Sequence, residues 1–198
     1  VFDGTDCVML SGETANGAFP ETAVSTMHRI VKSAETGVNW YQVNNYIRDF
    51  TPKPVGTIEA FVSTAAKNAI DIGAGLIVAF SEGGKTMRLA SKYRAPVPIL
   101  VVTSNGQLAR QCSSSFGLFP YLLKERLEND SDIPALLNEV MNHAVAAALC
   151  PSGCEVIVMQ STHVISGAHM LEDKGELEAL PERCLLYTSD AADDVVGV

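Results

Sequence analysis

The stretch Asp6-Cys7-Val8-Met9-Leu10-Ser11-Gly12-Glu13-Thr14-Ala15-Asn16-Gly17 joins an apolar run of strand length to a polar turn. Pro20 then begins a helix, because proline is tolerated at the first helical position. Apolar residues recur at three- and four-residue steps on one face of that helix: Ala23, Met27, Ile30, Val31 and Ala34. The order strand, loop, helix predicts a β/α unit whose loop lies at the end of the strand where α/β folds carry their chemistry.

The polar turn contains two side chains that can move protons. Ser11 can donate or accept a proton and Glu13 can accept one, while Gly12 and Gly17 let the backbone approach a ligand closely. The same Ser-Gly-Glu-Thr sequence could equally cap a helix. Spacing alone leaves both interpretations open.

The remainder of the chain alternates between apolar runs and amphipathic helices. Residues 38–54 lack a clear period and end in the rigid stretch Thr51–Pro54, which predicts a linker. Beyond it, fully apolar runs predict buried parallel strands at Leu76–Phe80, Pro98–Val102, Gly117–Tyr121 and Val156–Met159. Helices are predicted between them, with caps at Thr57 and Ser104, an end at Gly73 and a long helix from Asp132 to about Cys150. Alternation of this kind predicts a doubly wound, mainly parallel α/β domain.

Composition narrows the classes of function. The formal net charge of −9 and pI near 4.8 argue against nucleic acid as a partner. No apolar run approaches the length of a membrane span. The five scattered cysteines include Cys150-Pro-Ser-Gly-Cys154, which lacks the second pair typical of zinc sites, so reduced thiols and a cytoplasmic location are expected.

A glycine-rich loop follows the first strand of the predicted α/β domain. Ser81, Glu82, Gly83, Gly84, Lys85 and Thr86 lead from that strand into a helix N-terminus. Unpaired N–H groups and the positive end of the helix dipole suit an anion there. A plain tight turn would have the same shape, so the sequence predicts a candidate phosphate site and leaves the simpler interpretation open.

Asp3 to Gly17, followed by Phe19-Pro20, resembles the pyruvate kinase signature Asp-Gly-(Ser/Thr/Ala)-Asp-x-x-Met-Leu-Ser-Gly-Glu-(Ser/Thr)-Ala-x-Gly-x-(Tyr/Phe)-Pro. The resemblance continues through Lys92-Tyr93-Arg94 and Gly117-Leu-Phe-Pro120, and covers about residues 1–168. It implies that residues 1–37 are the last β/α unit of a (β/α)8 TIM barrel. It implies that residues 55–170 are the C-terminal, effector-type domain of that family.

The resemblance also implies site residues and partners. Ser11 and Glu13 match residues proposed to deliver the proton to the enolate, and Asn16 stands where the family often has Lys. The loop from Ser81 to Thr86 matches the phosphate cradle for a sugar-phosphate effector. Its partner loop would contribute His163, Ser166 and Gly167, with His163 in the place of an Arg.

Family membership implies transfer of phosphate from phosphoenolpyruvate to ADP, with Mg²⁺ (or Mn²⁺) and K⁺ as cofactors and a homotetramer as the assembly. The ligands of these cations are expected upstream of Val1, so the isolated chain is expected to be inactive. The alternative is a non-catalytic, effector-binding α/β module. A start codon directly before Val1 would favour this module.

Two segments depart from the family pattern. Residues 171–183 are acidic and atypical. From Cys184 the string Cys-Leu-Leu-Tyr-Thr-Ser-Asp-Ala-Ala-Asp resembles a reading frame of a sequencing-library adaptor. The sequence therefore predicts that residues 184–198 are a non-native tail.

Overall fold

The fold is taken from a computed structural model of the chain, in which the structure describes residues 1–125, 133–160 and 184–188. The helices are α1 (Gly12–Ala15), α2 (Pro20–Thr36), α3 (Trp40–Phe50), α4 (Thr57–Ile72), α5 (Lys85–Lys92), α6 (Gly106–Cys112) and α7 (Ile133–Ala146). The strands are β1 (Leu76–Phe80), β2 (Ile99–Thr103), β3 (Leu118–Leu122), β4 (Val156–Gln160) and β5 (Cys184–Thr188).

All strand pairs in the sheet are parallel, and the strand order is β3-β2-β1-β4-β5. One aligned pair fixes each register: Ile77 with Ile99, Leu76 with Val156, Ile99 with Leu118 and Val156 with Cys184. The chain winds outward from β1 in one direction and then returns to add β4 on the other side. This reversal is the doubly wound topology, and the predicted parallel α/β fold is confirmed.

The core has two layers because successive strand residues point to opposite faces of the sheet. Ile77, Ala79 and Val101 face helices α4, α5 and α6. Val78 and Leu100 face helix α7. Every residue of β1 and β2 is buried, as expected for strands covered by helices on both faces.

Helix boundaries differ from the predicted ones by one to a few residues. Gly56, not Thr57, is the N-cap of α4, and the left-handed Gly73 ends that helix as predicted. Asn105, not Ser104, caps α6, because its side chain accepts hydrogen bonds from the first-turn amides. Helix α7 ends at Ala146, short of the predicted end near Cys150.

Residues 38–54 contain a helix, which the sequence prediction of an irregular linker missed. Asn39 caps α3 by accepting a hydrogen bond from the Gln42 amide. The only buried residue of the helix is polar: Asn44 donates through Nδ2 to the Tyr93 carbonyl at 2.7 Å. A buried asparagine interrupts the apolar period, which explains why the pattern was not recognised.

The strand predicted at residues 6–10 does not form: in the described residues this segment is irregular and pairs with no strand of the sheet. A strand requires a neighbouring strand to pair its backbone groups, and the five-stranded sheet lies elsewhere in the chain. Helix α2 forms as predicted but has no buried residue, and Ile30 on its apolar face is 59% exposed.

Residues 184–188 add the last strand of the sheet. The backbone of β5 pairs in parallel with all five residues of β4. The sequence analysis did not predict a strand at these residues. That residues 184–198 are a non-native, adaptor-derived tail remains a prediction. In the part of the chain that the structure describes, no helix is long and apolar enough to span a membrane.

Candidate functional site

The Ser11–Glu13 turn is organised by its own backbone and one carboxylate. The Ser11 amide donates to Glu13 Oε2 at 2.9 Å, and Thr14 Oγ1 donates to the Ser11 carbonyl at 3.1 Å. Ser11 is the N-cap of α1 by position, but its hydroxyl makes no capping hydrogen bond. The side chain of Glu13, rather than that of Ser11, therefore satisfies a free amide of the turn.

Hydrogen bonds from the turn backbone lower the pKa of Glu13 from its usual value, with the amide of Glu13 itself first and that of Ser11 second. The carboxylate is therefore ionised at neutral pH and can accept a proton. Gly17 is required for space, because a Cβ there would lie 2.1 Å from the Glu13 carbonyl oxygen. Both Ser11 and Glu13 are exposed, so the turn is open to a ligand.

The glycine-rich loop leaves the C-terminal end of β1 as a tight, internally bonded turn. The Gly84 amide donates to Ser81 Oγ at 3.2 Å, and both residues are buried. Gly84 adopts φ +78°, and a Cβ there would lie 2.6 Å from Leu108 Cδ1. Gly84 is therefore required twice, by its backbone conformation and by its neighbours.

A carboxylate occupies the space between the loops that follow β1 and β2. Glu82 accepts hydrogen bonds from the Ser104 amide at 2.7 Å and from Ser104 Oγ at 2.8 Å. Two donors that could have met an anionic ligand are thus already satisfied by a side chain of the protein. The sequence identified Glu82 as a negative charge in the loop but not its partner 22 residues away.

Cationic side chains of helix α5 lie beside the glycine-rich loop. Lys85 is exposed at the first position of α5, and Thr86 follows it half-buried. Lys92 first, and Lys85 more weakly, lower the pKa of Glu59 on the adjacent helix α4. The Arg88 guanidinium lies against Gly84, where an added Cβ would meet its Nη1 at 3.0 Å. Sequence reasoning missed Arg88, although its place one turn after Lys85 was a usable signal.

Topology brings this loop beside the end of β4. Ligands in open parallel sheets bind outside the carboxyl ends of the strands where the winding reverses, here between β1 and β4. β1 ends at Phe80 and β4 at Gln160, and the ends of these two paired strands lie side by side. The predicted partner residues His163, Ser166 and Gly167 lie outside the described residues.

The two candidate loops remain separate. Within residues 1–125 and 133–160, no hydrogen bond or ion pair joins the Ser11–Glu13 turn to Ser81–Thr86. The described residues also contain no cluster of three or more His, Cys, Asp or Glu side chains that could hold a metal ion. Cys150 and Cys154 are free thiols, and burial raises the pKa of Cys150 to about 11.

Comparison with known proteins gives a consistent family. The family described as "Pyruvate kinase, alpha/beta domain" matches residues 59–170. Pyruvate kinase of Candida albicans is 36% identical over 162 residues, which cover 81% of this chain and 32% of that protein. The cytosolic pyruvate kinase isozyme of Nicotiana tabacum is 35% identical over 174 residues, covering 80% of this chain and 34% of that protein.

Two solved structures that are similar to this chain are also pyruvate kinases. The crystal structure of a pyruvate kinase from Cryptosporidium parvum matches with a TM-score of 0.73 and 37% identity, covering 80% of this chain and 31% of that chain. A complex of Cryptosporidium parvum pyruvate kinase with ADP matches with a TM-score of 0.73 and 38% identity, covering 79% of this chain and 31% of that chain. The chain thus spans about a third of the length of the relatives it matches. By both sequence and fold, the chain belongs to the pyruvate kinase family.

Proposed function

We propose that this chain is the C-terminal part of an enzyme that transfers the phosphoryl group of phosphoenolpyruvate to ADP, giving pyruvate and ATP. The observation that carries the proposal is the match of residues 59–170 to the pyruvate kinase α/β domain. The signature-like residues Asp3–Gly17 support it from outside that match. The ADP complex of a relative supports ADP as the nucleotide.

Ser11 and Glu13 are assigned to proton delivery on the enolate. Ser11 Oγ has no hydrogen-bond partner among the described residues and is exposed, so it is available to donate a proton. The ionised Glu13 carboxylate holds the Ser11 amide and thereby fixes the turn. In this scheme Ser11 Oγ gives its proton to the enolate carbon and recovers one from Glu13, which takes it from water, while Glu13 also maintains the geometry of the turn.

Cations are required for this chemistry because phosphoryl transfer depends on neutralising phosphate oxygens. We assign Mg²⁺ (or Mn²⁺) and K⁺ to the whole enzyme, in a cytoplasmic homotetramer. The described residues of this chain do not fit a metal site, since they lack a cluster of metal-ligating side chains. We infer that the isolated chain lacks activity.

The loop from Ser81 to Thr86 is assigned to a sugar-phosphate effector. Its position beside the end of β4, the left-handed Gly84 and the cations of Lys85 and Arg88 support an anion site. The Glu82 carboxylate opposes it, because it is negative and occupies the Ser104 donors. Binding of inorganic phosphate or a hexose bisphosphate is therefore expected to be weak.

The enzymatic proposal is tested by sequencing the genomic locus and assaying the full-length product with phosphoenolpyruvate and ADP. The expected result is an upstream open frame that encodes the rest of a barrel, and pyruvate formation by the product. Ser11→Ala is expected to lower kcat about 100-fold or more, whereas the matched control Ser25→Ala on α2 leaves it unchanged. A start codon directly before Val1, or a full-length product without pyruvate formation, contradicts the proposal.

The effector assignment is tested separately by calorimetric titration of the chain with a hexose bisphosphate. Lys85→Ala is expected to abolish measurable binding, and Lys32→Ala on the exposed face of α2 serves as a charge-matched control. Equal affinity in both variants, or no binding to the unaltered chain, contradicts the effector site.

A further inference from the structure

We propose that Arg94 is a positioning residue for the reaction, holding the segment that leads into the Ser11–Glu13 turn against the C-terminal α/β unit. The inference rests on the proposed function for its catalytic consequence. That Arg94 holds the segment follows from the contacts of Arg94 and its neighbours, whatever the reaction.

One guanidinium nitrogen of Arg94 binds two groups near the start of the chain. Arg94 Nη2 lies 2.6 Å from Asp6 Oδ1 and donates to the Gly4 carbonyl at 2.8 Å. The side chain of Arg94 is 13% exposed and that of Asp6 is 48% exposed, so only the arginine end of this ion pair is shielded from water. The contact joins residues that are 88 and 90 positions apart in sequence.

A second set of contacts fixes the same two residues. The Phe116 amide donates to Asp6 Oδ1 at 3.3 Å, and the Phe116 ring lies 4.5 Å from Arg94 Cζ. Trp40 also packs against Phe116, with ring centroids 5.3 Å apart. Asp6 is therefore held by one contact from the end of helix α5 and another from the loop before β3.

The backbone of Arg94 indicates that its side chain, rather than its conformation, is what this position needs. Arg94 has φ +52°, a left-handed conformation that any residue with a Cβ adopts at a cost. Glycine would adopt it more readily, immediately after the C-cap Tyr93. An unfavourable conformation that persists is a reason to look for a role of the side chain.

Helix α5 also links the glycine-rich loop to the segment that leads into the Ser11–Glu13 turn. Helix α5 begins at Lys85 in the glycine-rich loop, and Arg94 follows its C-cap. A helix of this length spans about 12 Å. Asp6 in turn precedes Ser11 by five residues. A shift of α5 would therefore move Arg94 and, through Asp6, the segment entering the turn.

The structural part is tested by amide hydrogen exchange of the 198-residue chain, comparing Arg94→Gly with the unaltered protein. Glycine relieves the left-handed backbone and so offsets part of the stability lost with the Arg94 contacts, and the urea midpoint is expected to change little. Exchange is expected to accelerate at least tenfold at the Phe116 amide and at the hydrogen-bonded amides of residues 4–17, which are Gly4, Ser11, Thr14, Ala15 and Asn16. Arg94→Lys should restore part of the protection, because it keeps the charge but not the planar fork. Lys67→Ala, which breaks the Lys67–Asp71 pair, is the control.

The catalytic part is tested in the full-length product by the same variants. Arg94→Gly is expected to lower kcat at least tenfold while KM for phosphoenolpyruvate changes less than threefold, and Arg94→Lys recovers part of kcat. Unchanged exchange at residues 4–17, or unchanged kcat alongside accelerated exchange, overturns the proposal. An unaltered full-length product that makes no pyruvate refutes the proposed function instead, and the exchange experiment still decides whether Arg94 holds the segment.

Discussion

Replacement of Gly84 by alanine should destabilise the fold at the candidate phosphate loop. The left-handed φ of +78° costs a residue with a Cβ about 1–2 kcal/mol. The new methyl would lie 2.6 Å from Leu108 Cδ1, and Leu108 is 4% exposed, so it cannot move freely. Overpacking of this kind costs about 1–3 kcal/mol. Alanine also lowers the entropy of the unfolded chain, worth about 0.4–1 kcal/mol in the opposite direction.

The net loss in the free energy of unfolding is therefore about 1–5 kcal/mol. Urea unfolding of the 198-residue chain measures it by linear extrapolation. Two alanine variants separate the causes. Gly73 has φ +65° with nothing within 4 Å of the position a Cβ would take, so Gly73→Ala reports the conformational cost alone. Gly83 has no such φ and nothing within 4 Å, so Gly83→Ala should leave stability within about 0.5 kcal/mol.

A loss on Gly84→Ala no larger than that on Gly73→Ala would contradict this prediction, because the contact with Leu108 would then contribute nothing to stability. An equal loss on Gly83→Ala would contradict it as well. In that case the loop would be sensitive to any side chain, and neither the positive φ nor the close approach would explain the effect.

Two further predictions concern capping and pH. Asn105→Ala removes the acceptor for the Gln107 amide and should lower the free energy of unfolding by about 1 kcal/mol. Asn105→Asp should retain most of the free energy of unfolding in the same urea assay. Equal losses in the alanine and aspartate variants would contradict a capping role. The hydrogen bond from Lys92 lowers the pKa of Glu59 below its ordinary value of 4.5. The Glu59–Lys92 pair therefore stabilises the fold fully above pH 4.5, and this contribution is lost as the pH falls through the lowered pKa. Glu59→Gln should flatten the acid limb of stability measured against pH, unlike the exposed control Glu21→Gln.

Some of the candidate site could be predicted from the sequence because its signals are local. The loop from Ser81 to Gly84 follows a fully apolar run and precedes a helix, and the structure has the strand and helix there. The Ser11–Glu13 turn was identified in the same way, although the strand predicted before it does not form. The roles assigned to these residues, and the division into domains, remain predictions.

Other features could not be predicted because the sequence signal was absent or misleading. Helix α3 was missed since a buried asparagine, Asn44, occupies its inward face and bonds the Tyr93 carbonyl. Strand β5 was not predicted because its sequence resembles a translated sequencing-library adaptor. Pairing of its five residues with β4 is nevertheless sufficient for a strand.

The sequence by itself determined the parallel α/β class, the positions of β1 and β2, and the glycine-rich loop that leads from β1 into α5. These depend on periodicity and conformational preference within about 20 residues. Only the tertiary structure decided that Glu82 binds Ser104 and that Arg94 binds Asp6. Both contacts join distant parts of the chain, and their existence depends on the order in which strands pair and helices pack. No local pattern specifies that order, because it minimises the free energy of the whole fold.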